Sequence, residues 1–156
     1  MNILILGIGQ SLRGDDAAGL EAVRLWRKKF PETAARIWVE LSELPGLSLL
    51  DLLEGMDTAI LVDAVQSSAS AGTILCLGPD ELATFTPDAG SAHGWGVTET
   101  LQLGLSLYPL LANCRVTLIG IVGNNFSMGA GLSTEVCMAM EKVADKVERE
   151  IHNYLK

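Results

Sequence analysis

The chain has 156 residues, 49% of them hydrophobic and only 19% charged, and its 19 acidic residues outnumber 11 basic ones to give a formal charge of −8. A chain this apolar has side chains enough for a core, so disorder is excluded and a single domain over residues 1–156 is expected. A surplus of acid is the wrong sign for gripping phosphates, so nucleic-acid binding is disfavoured.

Residues 2–6 read as a buried strand ending at Gly7-Ile8-Gly9. A helix is predicted from about Asp16 to Phe30-Pro31, with Leu20, Val23 and Trp26 or Arg27 at helical spacing. Residues 36–41 form a second strand with Ile37, Val39 and Leu41 on one face, and 47–53, introduced by Pro45-Gly46, a short helix. Residues 58–62 make a third strand that ends at Asp63, and 72–78 a fourth bounded by glycines. Turn formers without periodicity predict a loop over 84–96, after which helical spacing returns over 97–108 through Val97, Leu101, Leu105 and Tyr108. A fifth strand covers 116–122 and an irregular stretch 123–131. Ser133 then reads as the N-cap of a long helix with the stripe Val136, Met140, Val143, Val147, Ile151 and Leu155. This alternation predicts an α/β fold: a three-layer α/β/α sandwich around a mostly parallel five-stranded sheet. The link 67–71 is too short for a helical crossover, so the fourth strand is expected to be antiparallel.

Charge is segregated along this chain. Six basic residues lie at or before Arg36 and five at or after Arg115, so residues 37–114 carry ten acids and no Lys or Arg. A site built there attracts cations and repels phosphates, although a solvated acidic face accounts for most of the ten. Cys76, Cys114 and Cys137 show no paired spacing, and Cys76 and Cys137 are expected to be buried and inert. The opening residues lack the basic flank of a signal peptide and are too short an apolar run for a membrane span, so a soluble, cytoplasmic protein without membrane insertion is expected.

Ligands of open α/β sheets bind beyond the carboxyl ends of the strands, which directs attention to Asp15-Asp16, Asp63 and Ser91-Ala92-His93-Gly94. The glycines of the first loop do not make a nucleotide site. Position 12 is Leu where a dinucleotide fingerprint needs its third glycine, and Gly14 is followed by two acids where a P-loop needs Lys. Each candidate also has an ordinary explanation: helix capping for Asp15 and Asp16, an Asx-turn for Asp63, a solvated loop imidazole for His93. Together, two carboxylates and one imidazole also make a three-ligand set for a borderline divalent ion, with coordination positions left open for a substrate.

The motif Gly7-Ile-Gly9-Gln-Ser-Leu-Arg-Gly14-Asp15-Asp16-Ala-Ala-Gly19 resembles the opening motif of the nickel–iron hydrogenase maturation endopeptidases. Ile60-Leu-Val-Asp63-Ala64 and Ser91-Ala-His93 match that family's second and third functional segments in order, and Leu118-Ile-Gly120-Ile-Val and Gly131-Leu132-Ser133 extend the likeness across the chain. The resemblance implies an endoprotease that trims the C-terminal extension of a hydrogenase large-subunit precursor after nickel insertion. It further implies Asp16, Asp63 and His93 as the metal-binding set, nickel presented by the precursor as the recognition element, and no tightly bound cofactor. Three segments depart from the family pattern: Gln10 in place of the usual Asn, Leu41-Ser-Glu-Leu in place of a Gly-Gly-Thr type of turn, and Gly123-Asn-Asn-Phe126 without the frequent proline. A metallohydrolase with its own zinc remains an alternative at this point, as does a non-enzymatic nucleotide-binding or assembly-chaperone module.

Overall fold

The computed structural model describes residues 1–43, 46–84, 97–107 and 109–156. Its strands are β1 (Ile3–Ile8), β2 (Trp38–Ser42), β3 (Thr58–Val65), β4 (Ile74–Leu77) and β5 (Arg115–Val122). They form one mixed sheet in the order β2-β1-β3-β5-β4. β1, β2, β3 and β5 are parallel and β4 runs antiparallel to β5, as the short link ahead of it predicts.

All six residues of β1 are buried, because the strand lies inside the sheet with a helical layer on each face. Successive side chains therefore alternate between two cores. Ile5, Ile60, Val62, Ile119 and Ile121 pack on α1 (Ala18–Lys29) and α6 (Thr134–Leu155). Leu4, Leu6, Ala59, Leu61 and Leu118 face α3 (Ser48–Leu53), α4 (Pro79–Thr84) and α5 (Val97–Leu107). A short α2 (Pro31–Ala34) links α1 to β2. The apolar stripe of α6 carries one buried acid, Glu148, which accepts from Trp26 Nε1 at 2.8 Å and Thr33 Oγ1 at 2.7 Å and so pins α6 to α1 and α2. Among the described residues no helix is long and apolar enough to cross a membrane.

Several boundaries differ from the sequence reading. β3 continues three residues past Val62, taking Asp63 into the strand, because β5 runs on beside it and pairs Asp63, Ala64 and Val65 with Gly120, Ile121 and Val122. α1 starts at Ala18, and Asp15 and Asp16 sit on a separate 3₁₀ turn, Gly14–Ala17. α4 is an unforeseen helix with Pro79 at its first position and Asp80 and Glu81 in its first turn, both favourable there. The predicted loop beyond Thr84, including His93, and Tyr108 at the end of the predicted helix lie outside the described residues. Cys137 is exposed, since it falls off the stripe that starts at Val136, and Leu155 is 43% exposed at the helix end. Cys76 is half-buried and Cys114 buried; burial first, then a nearby acid, pushes both thiols up, Cys114 to about 11.

Candidate active site

β1 lies between β2 and β3, and the chain leaves its carboxyl end to return through β2, so the β1/β3 boundary is a topological switch point. Two of the sequence-predicted ligands meet there. Asp16 is carried by the 3₁₀ turn after β1 and Asp63 by the carboxyl-terminal part of β3. Glycine makes the approach possible. A Cβ on Gly19 would lie 2.2 Å from the Val62 carbonyl oxygen and 2.4 Å from that of Ile8, so a larger residue would lift the start of α1 off both strands. Gly9, at φ +154°, passes so close to the turn that a Cβ would lie 1.9 Å from the Asp16 carbonyl oxygen.

The electrostatics of the pair follow from this crowding. Burial and, after it, the neighbouring Asp16 carboxylate push the Asp63 carboxyl up to about 8, against the pull of the Ala64 backbone N–H. Near neutral pH this favours the protonated form of Asp63. A divalent cation would favour ionisation of both acids, and two carboxylates are suitable oxygen donors for one.

Asp15 has a different role from its neighbour. It is completely buried, and its carboxylate accepts from the backbone N–H groups of Asn124 (2.9 Å), Asn125 (3.1 Å) and Ser133 (2.7 Å) and from the Ser133 hydroxyl (2.9 Å). Burial alone would raise its pKa, but the Asn124, Ser133 and Asn125 N–H groups and the Ser133 hydroxyl outweigh it, and the pKa is lowered. Helix capping, the ordinary explanation for Asp15, does not hold. Arg13 and Ala17 hold the N-cap positions of the turn and of α1, and neither makes a side-chain cap bond. Ser133 does occupy the N-cap of α6, but its hydroxyl is committed to Asp15.

Backbone bonds extend this tie into a frame. Gly14 N–H donates to Ala130 O at 3.1 Å, Asp15 N–H to Asn125 O at 2.8 Å and Gly129 N–H to Leu12 O at 2.7 Å, joining the loop after β1 to the loop after β5. Gly9 N–H donates to Ser42 O at 3.2 Å, and Glu43 accepts from both the backbone N–H (2.7 Å) and the hydroxyl of Ser11, which lowers the Glu43 pKa. The loops after β1, β2 and β5 are thus one connected scaffold around the Asp16–Asp63 pair. Sequence reasoning missed Asp15, Ser133 and Glu43 as its members, because every partner is distant along the chain.

The third predicted ligand, His93, lies outside the described residues. Among the described residues no group of three His, Cys, Asp or Glu side chains is placed to hold a metal ion. The described part of the site is a carboxylate pair.

Comparison with known proteins points one way. A family model described as hydrogenase maturation protease matches residues 44–150. A Methanocaldococcus jannaschii protein named as a hydrogenase maturation protease is 31% identical over 160 aligned positions covering 96% of each chain. The hydrogenase 2 maturation protease of Escherichia coli is 26% identical over 94% of this chain and 88% of its own. Among solved structures, the [NiFe] hydrogenase maturation protease HybD of Thermococcus kodakarensis superposes with a TM-score of 0.73 at 27% identity, over 96% of this chain and 98% of that one. The E. coli endopeptidase HybD shares the fold with a TM-score of 0.77 at 23% identity, over 99% and 94%.

Proposed function

Since the chain belongs to the hydrogenase maturation protease family, a family of metal-dependent endopeptidases, we propose that it removes the C-terminal extension of a nickel–iron hydrogenase large-subunit precursor once nickel has been inserted. The observation that carries this reading is the meeting of Asp16 and Asp63, from two different strand ends, at the β1/β3 switch point. The nickel belongs to the precursor and arrives with it. Asp16 and Asp63, with His93 as third ligand, engage that ion and hold the adjoining segment in register. Arrival of the cation releases the Asp63 proton, so that both carboxylates are anionic only when a metal-bearing substrate is seated. A precursor without nickel meets a protonated, weakly attracting site, which is how a carboxylate pair distinguishes the two. Positioning the scissile bond removes much of the entropic barrier to its hydrolysis, in which water adds to the carbonyl and the amine leaves.

The test is to incubate the protein with nickel-loaded and nickel-free precursor and read both by intact mass spectrometry. Trimming confined to the loaded precursor is expected, and His93→Ala should abolish it. Equal trimming of the two forms would overturn nickel as the recognition element.

A further inference from the structure

Leu12, 70% exposed, and Met128, 71% exposed, stand in solvent at the carboxyl edge of the sheet. Leu12 precedes the 3₁₀ turn that carries Asp16, and Met128 lies on the loop between β5 and α6. Their backbones are stitched together by the Gly129 N–H bond to Leu12 O at 2.7 Å, with the Gly14–Ala130 bond and the four bonds to Asp15 directly behind. The two side chains are therefore presented on a fixed frame, and little backbone freedom remains to be lost when something covers them. A single exposed apolar side chain is ordinary, but two held on one frame beside the candidate site offer a contact to another molecule, and methionine suits such a role because its side chain adapts to irregular surfaces.

We propose that Leu12 and Met128 are the docking rim for the folded large-subunit precursor, gripping an apolar collar of its surface next to the nickel-bearing C-terminal segment. The proposal rests on the protease reading above. If a protein-bound nickel ion reaches Asp16 and Asp63, the protein around that ion must lie against the loops that flank them, and these are the loops that carry Leu12 and Met128. The rim sets affinity, and the carboxylates act on what it delivers. One competing surface is on another layer. Leu47 (63% exposed) and Leu107 (59% exposed) flank a groove of about 470 Å³ between α3 and the end of α5, lined also by Asp51 and Glu54.

The experiment compares the parent protein, the double variant Leu12→Ser/Met128→Ser and, for the competing groove, Leu107→Ser. Serine adds no charge, so the cation affinity of the nearby acids is undisturbed. Binding to immobilised nickel-loaded precursor is read by interferometry, cleavage by intact mass, and melting temperature confirms the fold. The expected result is a rise in Kd and KM of about tenfold or more for the double variant, with kcat and melting temperature held and Leu107→Ser matching the parent. Parental Kd and KM in the double variant would overturn the rim while leaving the protease reading intact, as would a loss carried by Leu107→Ser or a fall in kcat alone. If the parent binds without cutting and the double variant loses that binding, the rim stands and the protease reading fails. A parent that neither binds nor cuts overturns both.

Discussion

Asp15 and Asp63 are carboxylates drawn out of water at the same edge of one sheet, and their surroundings drive them apart. Asp15 is met by four donors and its pKa falls; among the described residues Asp63 meets one backbone N–H and a like charge, and its pKa rises to about 8. A buried acid whose acceptor capacity is filled from within the chain has no need of a ligand and acts as a structural bond. A half-buried acid set beside another acid is destabilised in its charged form until something positive arrives. Of two neighbours in sequence, Asp15 is scaffold, and Asp16 is the one proposed to act on the substrate's metal.

This contrast predicts two phenotypes that separate. Asp63→Asn replaces one carboxylate of the pair by a neutral amide and leaves the scaffold whole, so processing of the nickel-loaded precursor should fall on the order of a thousandfold. Its melting temperature at pH 8 should hold or rise, since no charge then has to be buried. Asp15→Ala does the reverse. It strands the N–H groups of Asn124, Asn125 and Ser133, and urea unfolding should register a loss on the order of 3 kcal/mol. Activity per folded molecule should be less affected, at a temperature where the variant remains folded. If Asp63→Asn unfolds as readily as Asp15→Ala, the distinction between the two acids is lost.

Sequence reasoning reached some parts of this molecule and not others, for identifiable physical reasons. The central strands were legible because burial on both faces leaves runs such as Ile3-Leu-Ile-Leu6 and Ala59-Ile-Leu-Val62. The antiparallel β4 was legible because chain length forbade a crossover. Asp16 and Asp63 were legible as candidates from their places at strand ends, and the family motif added weight to them. That Asp15 is a structural bond was not legible, because its partners lie more than 100 residues away along the chain. The extra length of β3 was hidden too, since a strand extends as far as its neighbour offers hydrogen bonds, and β5 offers three more residues than hydrophobicity alone suggests.

A smaller change tests whether scaffold and site are mechanically joined. Gly19→Ala places a methyl 2.2 Å from the Val62 carbonyl oxygen, a contact the backbone must relieve by shifting. Overpacking of this kind costs about 1–3 kcal/mol. The shift acts on the start of α1 and on the turn just before it, so Asp16 should move relative to Asp63. Both unfolding free energy and processing rate should fall in Gly19→Ala, whereas the single-phenotype variants above each lose one. A variant that loses stability but processes at the parental rate would show that the turn holds Asp16 independently of α1.

The smallest effect is in the pH dependence of the metal-free protein, because Asp16 and Asp63 are only partly buried and solvent screens part of their interaction. An aspartate in the unfolded chain titrates near 3.9, so between about pH 4 and pH 8 the folded protein carries a proton on Asp63 that the unfolded chain has released. Stability follows the difference in bound protons, and with more protons on the folded side it declines as pH rises through that window and levels off above it. Asp15 has the opposite sign. Its pKa is lowered in the fold, so its contribution is present above about pH 4 and is lost as pH falls below the unfolded value. Urea titrations of the metal-free protein from pH 3 to 9 should therefore resolve two limbs of opposite slope. Asp63→Asn should flatten the upper limb and leave the lower one, and an upper limb that survives in this variant would assign the excess proton to a group other than Asp63.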